Sequence, residues 1–146
     1  MIQQRIIDRL TTQWNLLKEG EEIPDFSKLN KAALADIWPH CLVIKTHPKV
    51  EDAQASYQYS EIGSMAETLF KENPVGQYFS PNVKVSQIAR LVRRISELSA
   101  TSTPLTDEGQ FINDANRVVK FRTCLLPFST ASRLSHIVIG VSWREI

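Results

Sequence analysis

Between Ile2 and about Glu19, Ile7, Leu10, Trp14 and Leu17 recur at spacings of three, four and three, and Ile6 widens the stripe. Arg5, Asp8, Arg9 and Lys18 lie off it, so the segment reads as an amphipathic helix. Gly20 suits the exit, because a residue without Cβ accepts positive φ at a helix end. The same spacing forms a coiled-coil seam, so Ile7, Leu10, Trp14 and Leu17 are expected to pack on a sheet or to join two copies as a dimer.

Further along, Asn30 is placed to cap a short helix over Lys31–Ile37, which Pro39 stops. Cys41–Thr46 reads as a buried strand. Ser56–Ile62 alternates, with Tyr57 and Tyr59 on one face, and should pair with it. Gly63 breaks that pattern, and Ser64 is expected to cap a helix to Lys71 that turns Met65, Leu69 and Phe70 inward. Asn73-Pro74, Gly76 and Pro81 mark loops. Val85, Ile88, Leu91, Val92, Ile95 and Leu98 predict a second long helix over Val85–Leu98. Leu105–Ile112 is a weaker strand, disturbed by Asp107 and Gly109, and Asn113–Asn116 is a turn. Two strong strands follow, Arg117–Leu126 and Leu134–Arg144. Pro127 is expected to end the first for want of an N–H, and Phe128–Arg133 to form the turn. In the second, Ile137, Ile139, Val141 and Trp143 share the face expected to be more buried; His136, Val138, Gly140 and Ser142 share the other. The order implies an α+β fold with a mostly antiparallel sheet. One face should receive the middle helices, and the other the Trp14 helix or a second copy.

Composition narrows this picture. A chain of 146 residues, 42% apolar and 23% charged, is expected to be one ordered domain. At this length a domain buries roughly 68–70% of its unfolded surface and needs no metal or disulfide staple. A net charge of +1 argues against nucleic acid or an anionic membrane as the main partner. The N-terminus has no continuous apolar core of a signal peptide, and no run approaches the ~20 apolar residues of a membrane span. A cytoplasmic location is expected, with Cys41 and Cys124 as reduced structural thiols.

Several of these segments resemble small bacterial single-domain PAS-like proteins of an alphaproteobacterial type. Trp14-Asn15-Leu16-Leu17-Lys18-Glu19-Gly20, Ile23-Pro24, Leu34 and Ile37-Trp38-Pro39-His40 are similar to that family's front, in which a tryptophan helix ends in glycine and an L-P-H turn leads into the first strand. Tyr57–Gly63 resembles its second strand, and Leu69-Phe70 and Gly76 the helix and loop that follow. Arg122–Phe128 resembles its fourth strand, often ending L-L-P-L, and Ile137–Gly140 its last. Trp38 departs from the usual leucine, and Asp107–Gly109 blurs the third strand. The resemblance implies a five-stranded antiparallel sheet with helices over one face and an added N-terminal helix. Residues 1–20 would form that helix and 21–146 the PAS core. It also implies a sensory or regulatory module that binds a small ligand or dimerises, and signals through a separate partner protein. It carries over no catalytic residues and no particular cofactor.

The residues themselves offer no active site. His40, His47 and His136 lack metal-ligand spacing; His40 is expected to cap its local turn. The sequence contains no phosphate-cradling glycine motif and no nucleophile elbow, and the Asn-Cys-Arg-Phe motif of flavin photoreceptors is absent. Lys84, Arg90, Arg93 and Arg94 form a basic edge, read as a solvated face or, more sharply, as a site for an anionic ligand or acidic partner. The apolar and aromatic set remains. Tyr57, Tyr59, Met65, Leu69, Phe70, Leu91, Phe121, Ile137 and Ile139, with Arg122 as a polar group, are the candidate lining of a pocket for a small apolar ligand. The alternatives are a fully packed core and a ligand-free interaction module.

Overall fold

The computed structural model describes residues 2–47, 56–79 and 87–146. The expected loop through Ala53, the Pro81 loop, Lys84 and the start of the Val85 helix lie outside them. The chain begins with helix α1, Ile2–Lys18. Its apolar stripe faces inward, with Ile6, Leu10 and Trp14 buried, and it ends where Glu19 and Gly20 both take positive φ. Short 3-10 turns follow at Phe26–Lys28, Ala32–Leu34 and Trp38–His40. The helix expected over Lys31–Ile37 is thus one tight turn, although Asn30 does accept from the Ala33 amide at 3.1 Å. Pro39 does not simply stop a helix; it sits inside the turn that feeds the first strand.

Strands β1 (Cys41–His47) and β2 (Ser56–Ile62) pair antiparallel, as their sequences suggest. Then come α2 (Ser64–Glu67), β3 (Tyr78–Phe79), a 3-10 segment at Gln87–Val92, α3 (Ile95–Thr101), β4 (Leu105–Ile112), β5 (Val118–Thr130) and β6 (Arg133–Glu145). Among the described residues the sheet has six strands in the order β3-β2-β1-β6-β5-β4, with its strand pairings antiparallel. The α+β class stands. The sixth strand is β3, a two-residue edge piece paired with Tyr57 and Gln58 and too short to leave a periodic signal.

Both central faces of the sheet are covered. On the inner face Ile137, Ile139 and Val141 meet Leu42, Ile44, Phe121, Leu125 and the α3 residues Ile95 and Leu98. On the outer face Val138, Cys41, Val43, Cys124 and Leu126 meet Ile6, Leu10 and Trp14 of α1. A strand buried on both sides loses the polar alternation of a half-exposed one, which is why β6 reads as a continuous apolar run. Gly140 lets α1 come close: a Cβ there would lie 2.4 Å from Leu10 Cδ1 and 3.1 Å from Cys124 Sγ.

Four expectations about elements change. Pro127 does not end the ladder; it stands opposite Ile137 inside a strand of 13 residues. The amide and carbonyl of one strand residue point the same way. The Pro127 carbonyl accepts from Trp14 Nε1 at 2.7 Å rather than from β6, so its missing N–H falls on the side left free beyond Leu125, where β4 has ended. The hairpin turn is only Ala131-Ser132, both with positive φ, the twist a two-residue hairpin needs. Gly63, not Ser64, holds the cap position of α2, and the α-helix stops at Glu67. The second long helix is a 3-10 segment and a short α-helix, separated at Arg93 and Arg94.

Candidate functional site

Six of the ten candidate pocket residues, Tyr57, Tyr59, Leu91, Phe121, Ile137 and Ile139, come together as buried members of the inner core. Tyr57 stacks with Phe79 at 5.5 Å between centroids, Tyr59 lies 4.8 Å from Phe79, and Phe70 meets Tyr59 edge-on at 5.7 Å. The Tyr57 hydroxyl is engaged by Ser99 Oγ at 2.8 Å. Burial pushes the Tyr59 phenol up to about 12. These side chains pack against one another.

Leu69 and Phe70 are half-buried at the end of this core. They follow α2 through turns in which Leu69 and Phe70 donate to the Ala66 and Glu67 carbonyls. With Thr68 they form one wall of a cleft of about 300 Å³, whose other walls are Val119, Trp143, Glu145 and the turn Asn113–Ala115. The turn is locally fixed: Asn113 Oδ1 accepts from the amides of Ala115 and Arg117, and Asn113 Nδ2 donates to Glu145 at 2.8 Å. Leu69, Phe70, Val119 and Trp143 make the apolar part, and Thr68, Asn113 and Glu145 the polar rim. His40 does not cap its turn through its side chain; its ring lies 5.4 Å from Trp143, and burial lowers its pKa.

Two candidates lie elsewhere. Met65 is 46% exposed, because α2 turns the small Ala66 inward. Arg122 is on the outer face, since its neighbours Phe121 and Thr123 occupy the inner parity; its Nε lies 3.4 Å from Glu108. The stripe considered for a dimer is also engaged within the chain. Leu10 and Trp14 are buried against the sheet, and Ile7 and Leu17 flank them half-buried.

The basic edge on the second helical segment has a definite role in this fold. Arg94, Arg93 and Arg90 donate to the carbonyls of Thr106, Glu108 and Gln110 at 2.6, 2.9 and 3.2 Å. These are alternate residues of β4, the last strand of the sheet, so the arginines cover its outward-pointing carbonyls. Arg93 also clasps Asp107 with two bonds of 2.8 and 2.9 Å, and the Glu108 amide donates to Asp107 Oδ1. The clue in the sequence was the three-residue spacing of Arg90 and Arg93 upstream of a strand alternating in polarity. The cleft residues Trp143, Asn113 and Glu145 left no comparable signal, since only the tertiary fold sets them beside Phe70.

Other chemistry is weak. Burial holds both cysteines as thiols, pushing Cys124 up to about 11 and Cys41 higher. His136 stacks on Phe26 at 3.8 Å, and His47 bonds Gln58 at 3.1 Å. Among the described residues no group of His, Cys, Asp or Glu is placed to hold a metal ion, and no helix is long and apolar enough to cross a membrane.

No family model and no curated protein matches the chain. Solved structures do. One is a sensory box histidine kinase/response regulator from Burkholderia thailandensis E264, at 9% identity and a TM-score of 0.43, covering 78% of this chain and 84% of that one. Another is a fungal LOV domain photoreceptor, at 10% identity and a TM-score of 0.47, covering 95% of this chain and 92% of that one.

Proposed function

We propose that the chain is a non-catalytic PAS-like sensory or regulatory module that takes a small apolar ligand in the Phe70–Trp143 cleft. The observation that carries this reading is the cleft itself: apolar walls, a polar rim fixed by Asn113 and Glu145, and continuity with the aromatic inner core. Its volume of about 300 Å³ is at the small end of ligand sites. A ligand there touches the α2 turn, β5, β6 and the β4–β5 turn together, so binding can tie the helical layer to the sheet. Residues 1–146 act as one unit in this reading, with 1–20 as an integral helix and 21–146 as the PAS core. Its output passes from the cytoplasm to a separate signalling protein, or to a second copy across the exposed side of α1, where Leu16 is 71% exposed.

Native mass spectrometry of protein purified from several hosts, with a thermal-shift screen of apolar compounds, tests this. The expected result is a bound species or stabilising compound whose effect is lost in Trp143→Ala and Phe70→Ala, while the exposed-site variant Met65→Ala keeps it. Stabilisation that persists in both cleft variants would refute the assignment. So would a complete lack of bound or stabilising compounds.

A further inference from the structure

The half of the outer sheet face beyond α1 carries more positive than negative charge among the described residues. Lys120 on β5 stands directly opposite Arg144 on β6, and Arg122 opposite Ser142. On the other side Lys120 faces Gln110 and Arg122 faces Glu108 of β4. Like charges directly opposite on neighbouring strands repel and destabilise a sheet. Lys120 and Arg144 are both exposed, and neither has an ion-pair partner among the described residues. Among the described residues the Glu108 carboxylate pairs with Arg122, at 3.4 Å.

These side chains line one cleft of about 640 Å³. Lys120, Arg122 and Arg144 face one carboxylate, Glu108, which leaves a net charge of +2 among the residues lining it. Ser142 also lines the cleft. It is 3% exposed, and its Oγ has no hydrogen-bond partner among the described residues. A buried hydroxyl without a partner loses its hydration with nothing in return and is destabilising. Both unfavourable features, the facing cations and the orphaned hydroxyl, meet at one place, and one kind of ligand relieves both. A tetrahedral oxyanion accepts several charge-assisted bonds at once, including the planar fork of an arginine.

We propose that this cleft binds the phosphate group of a small phosphorylated molecule. Lys120 and Arg144 hold the phosphate between them, Arg122 binds a flanking oxygen, and Ser142 Oγ donates from the floor. The site is on the face of the sheet opposite the Phe70–Trp143 cleft and stands or falls independently of it.

The test is titration of the isotope-labelled 146-residue chain with inorganic phosphate and with ribose 5-phosphate, followed by backbone amide shifts at constant ionic strength. Saturable shifts are expected at residues 108–110, 120–122 and 142–144, with thermal stabilisation by phosphate but not by chloride of equal ionic strength. Lys120→Gln and Arg144→Gln should each weaken binding about tenfold, and Ser142→Ala about threefold. Arg133→Gln, a basic residue at the far end of β6, should change nothing. Lys120→Glu gives the sharpest reading: it turns a repulsive pair into an attractive one, so it should raise the melting temperature while abolishing saturable binding. Non-saturating shifts spread over all basic residues would overturn the proposal. Affinity unchanged in Lys120→Glu, or weakened equally by Arg133→Gln, would do the same. A phosphoserine peptide binding far more tightly than either small phosphate would overturn the small-molecule assignment.

Discussion

Gly140 and Trp14 set how α1 meets the sheet. A methyl on Gly140 would fall 2.4 Å from Leu10 Cδ1 and 3.3 Å from Ile6 Cγ2, so Gly140→Ala should overpack the outer core and cost about 1–3 kcal/mol. Leu10→Ala opens space at the same contact. Although it should itself cost about 2–5 kcal/mol, the two changes together should cost less than their sum by at least about 0.5 kcal/mol. A double-mutant cycle by urea denaturation measures this; simple additivity would mean that the two residues do not compete for the same space. Trp14→Phe keeps the apolar body but strips the donor from the Pro127 carbonyl, and should cost about 1–3 kcal/mol for the unsatisfied acceptor. At this scale the sequence conveyed residue character well and residue partners poorly. Alternation alone put Tyr57 and Tyr59 on one face, and the structure makes that the inner face. Arg122, two residues before Cys124 and one after Phe121, follows the outer parity, yet a charged residue in an aromatic stretch invited a pocket role that the register of β5 denies.

Strand bounds were legible even where the pattern was weak. β4 spans Leu105–Ile112 as its pattern implies, and Gly109, which made it look weak, accommodates the Phe121 ring, whose Cζ would lie 3.0 Å from a Cβ at that position. Less legible were elements whose hydrogen bonds are decided by neighbours. Pro127 is tolerated because β4 stops at Leu105, opposite Leu125, a fact about another strand. The helical pattern from Val85 shortens where Arg90, Arg93 and Arg94 reach across to β4. Those arginines act at this scale. Exposed edge carbonyls are templates for pairing with another chain, and here three are covered. Replacing Arg90, Arg93 and Arg94 together by Ala should increase self-association, read as a rise in weight-average mass by sedimentation velocity. A variant that stays as monodisperse as the parent would show that the arginines do not guard the edge.

For the whole molecule, buried titratable groups set a pH window. Burial raises the Tyr59 phenol from 10.0 to about 12 and the Cys124 thiol from 9.0 to about 11. The folded protein therefore holds these protons where the unfolded chain releases them, so stability is full below about 9 and declines as pH rises through 9 to 12. Burial lowers His40 and His136 from 6.5. The unfolded chain then binds protons that the folded one refuses, and stability declines as pH falls below 6.5. Urea midpoints across pH should peak between about 7 and 9, and Tyr59→Phe should flatten the alkaline limb. An unchanged alkaline limb would remove Tyr59 from the account. Hydrogen exchange should be slowest in β1, β5 and β6, which are flanked by strands over much of their length and covered by both cores, and fast in the two-residue edge β3.

The bond from Trp14 to the Pro127 carbonyl spans 113 residues, and the strands that α1 packs on most extensively are β6 and β5. On a ribosome the helix emerges well before β5 and β6. At roughly 5–20 residues per second, Ile6, Leu10 and Trp14 must wait on the order of ten seconds with their apolar side open. During that interval the nascent chain presents a greasy amphipathic segment with only part of its final cover, Leu34, Ile37, Cys41 and Val43, already made. Synthesis, rather than the finished fold, is when this helix is most exposed to capture by chaperones or by another nascent copy.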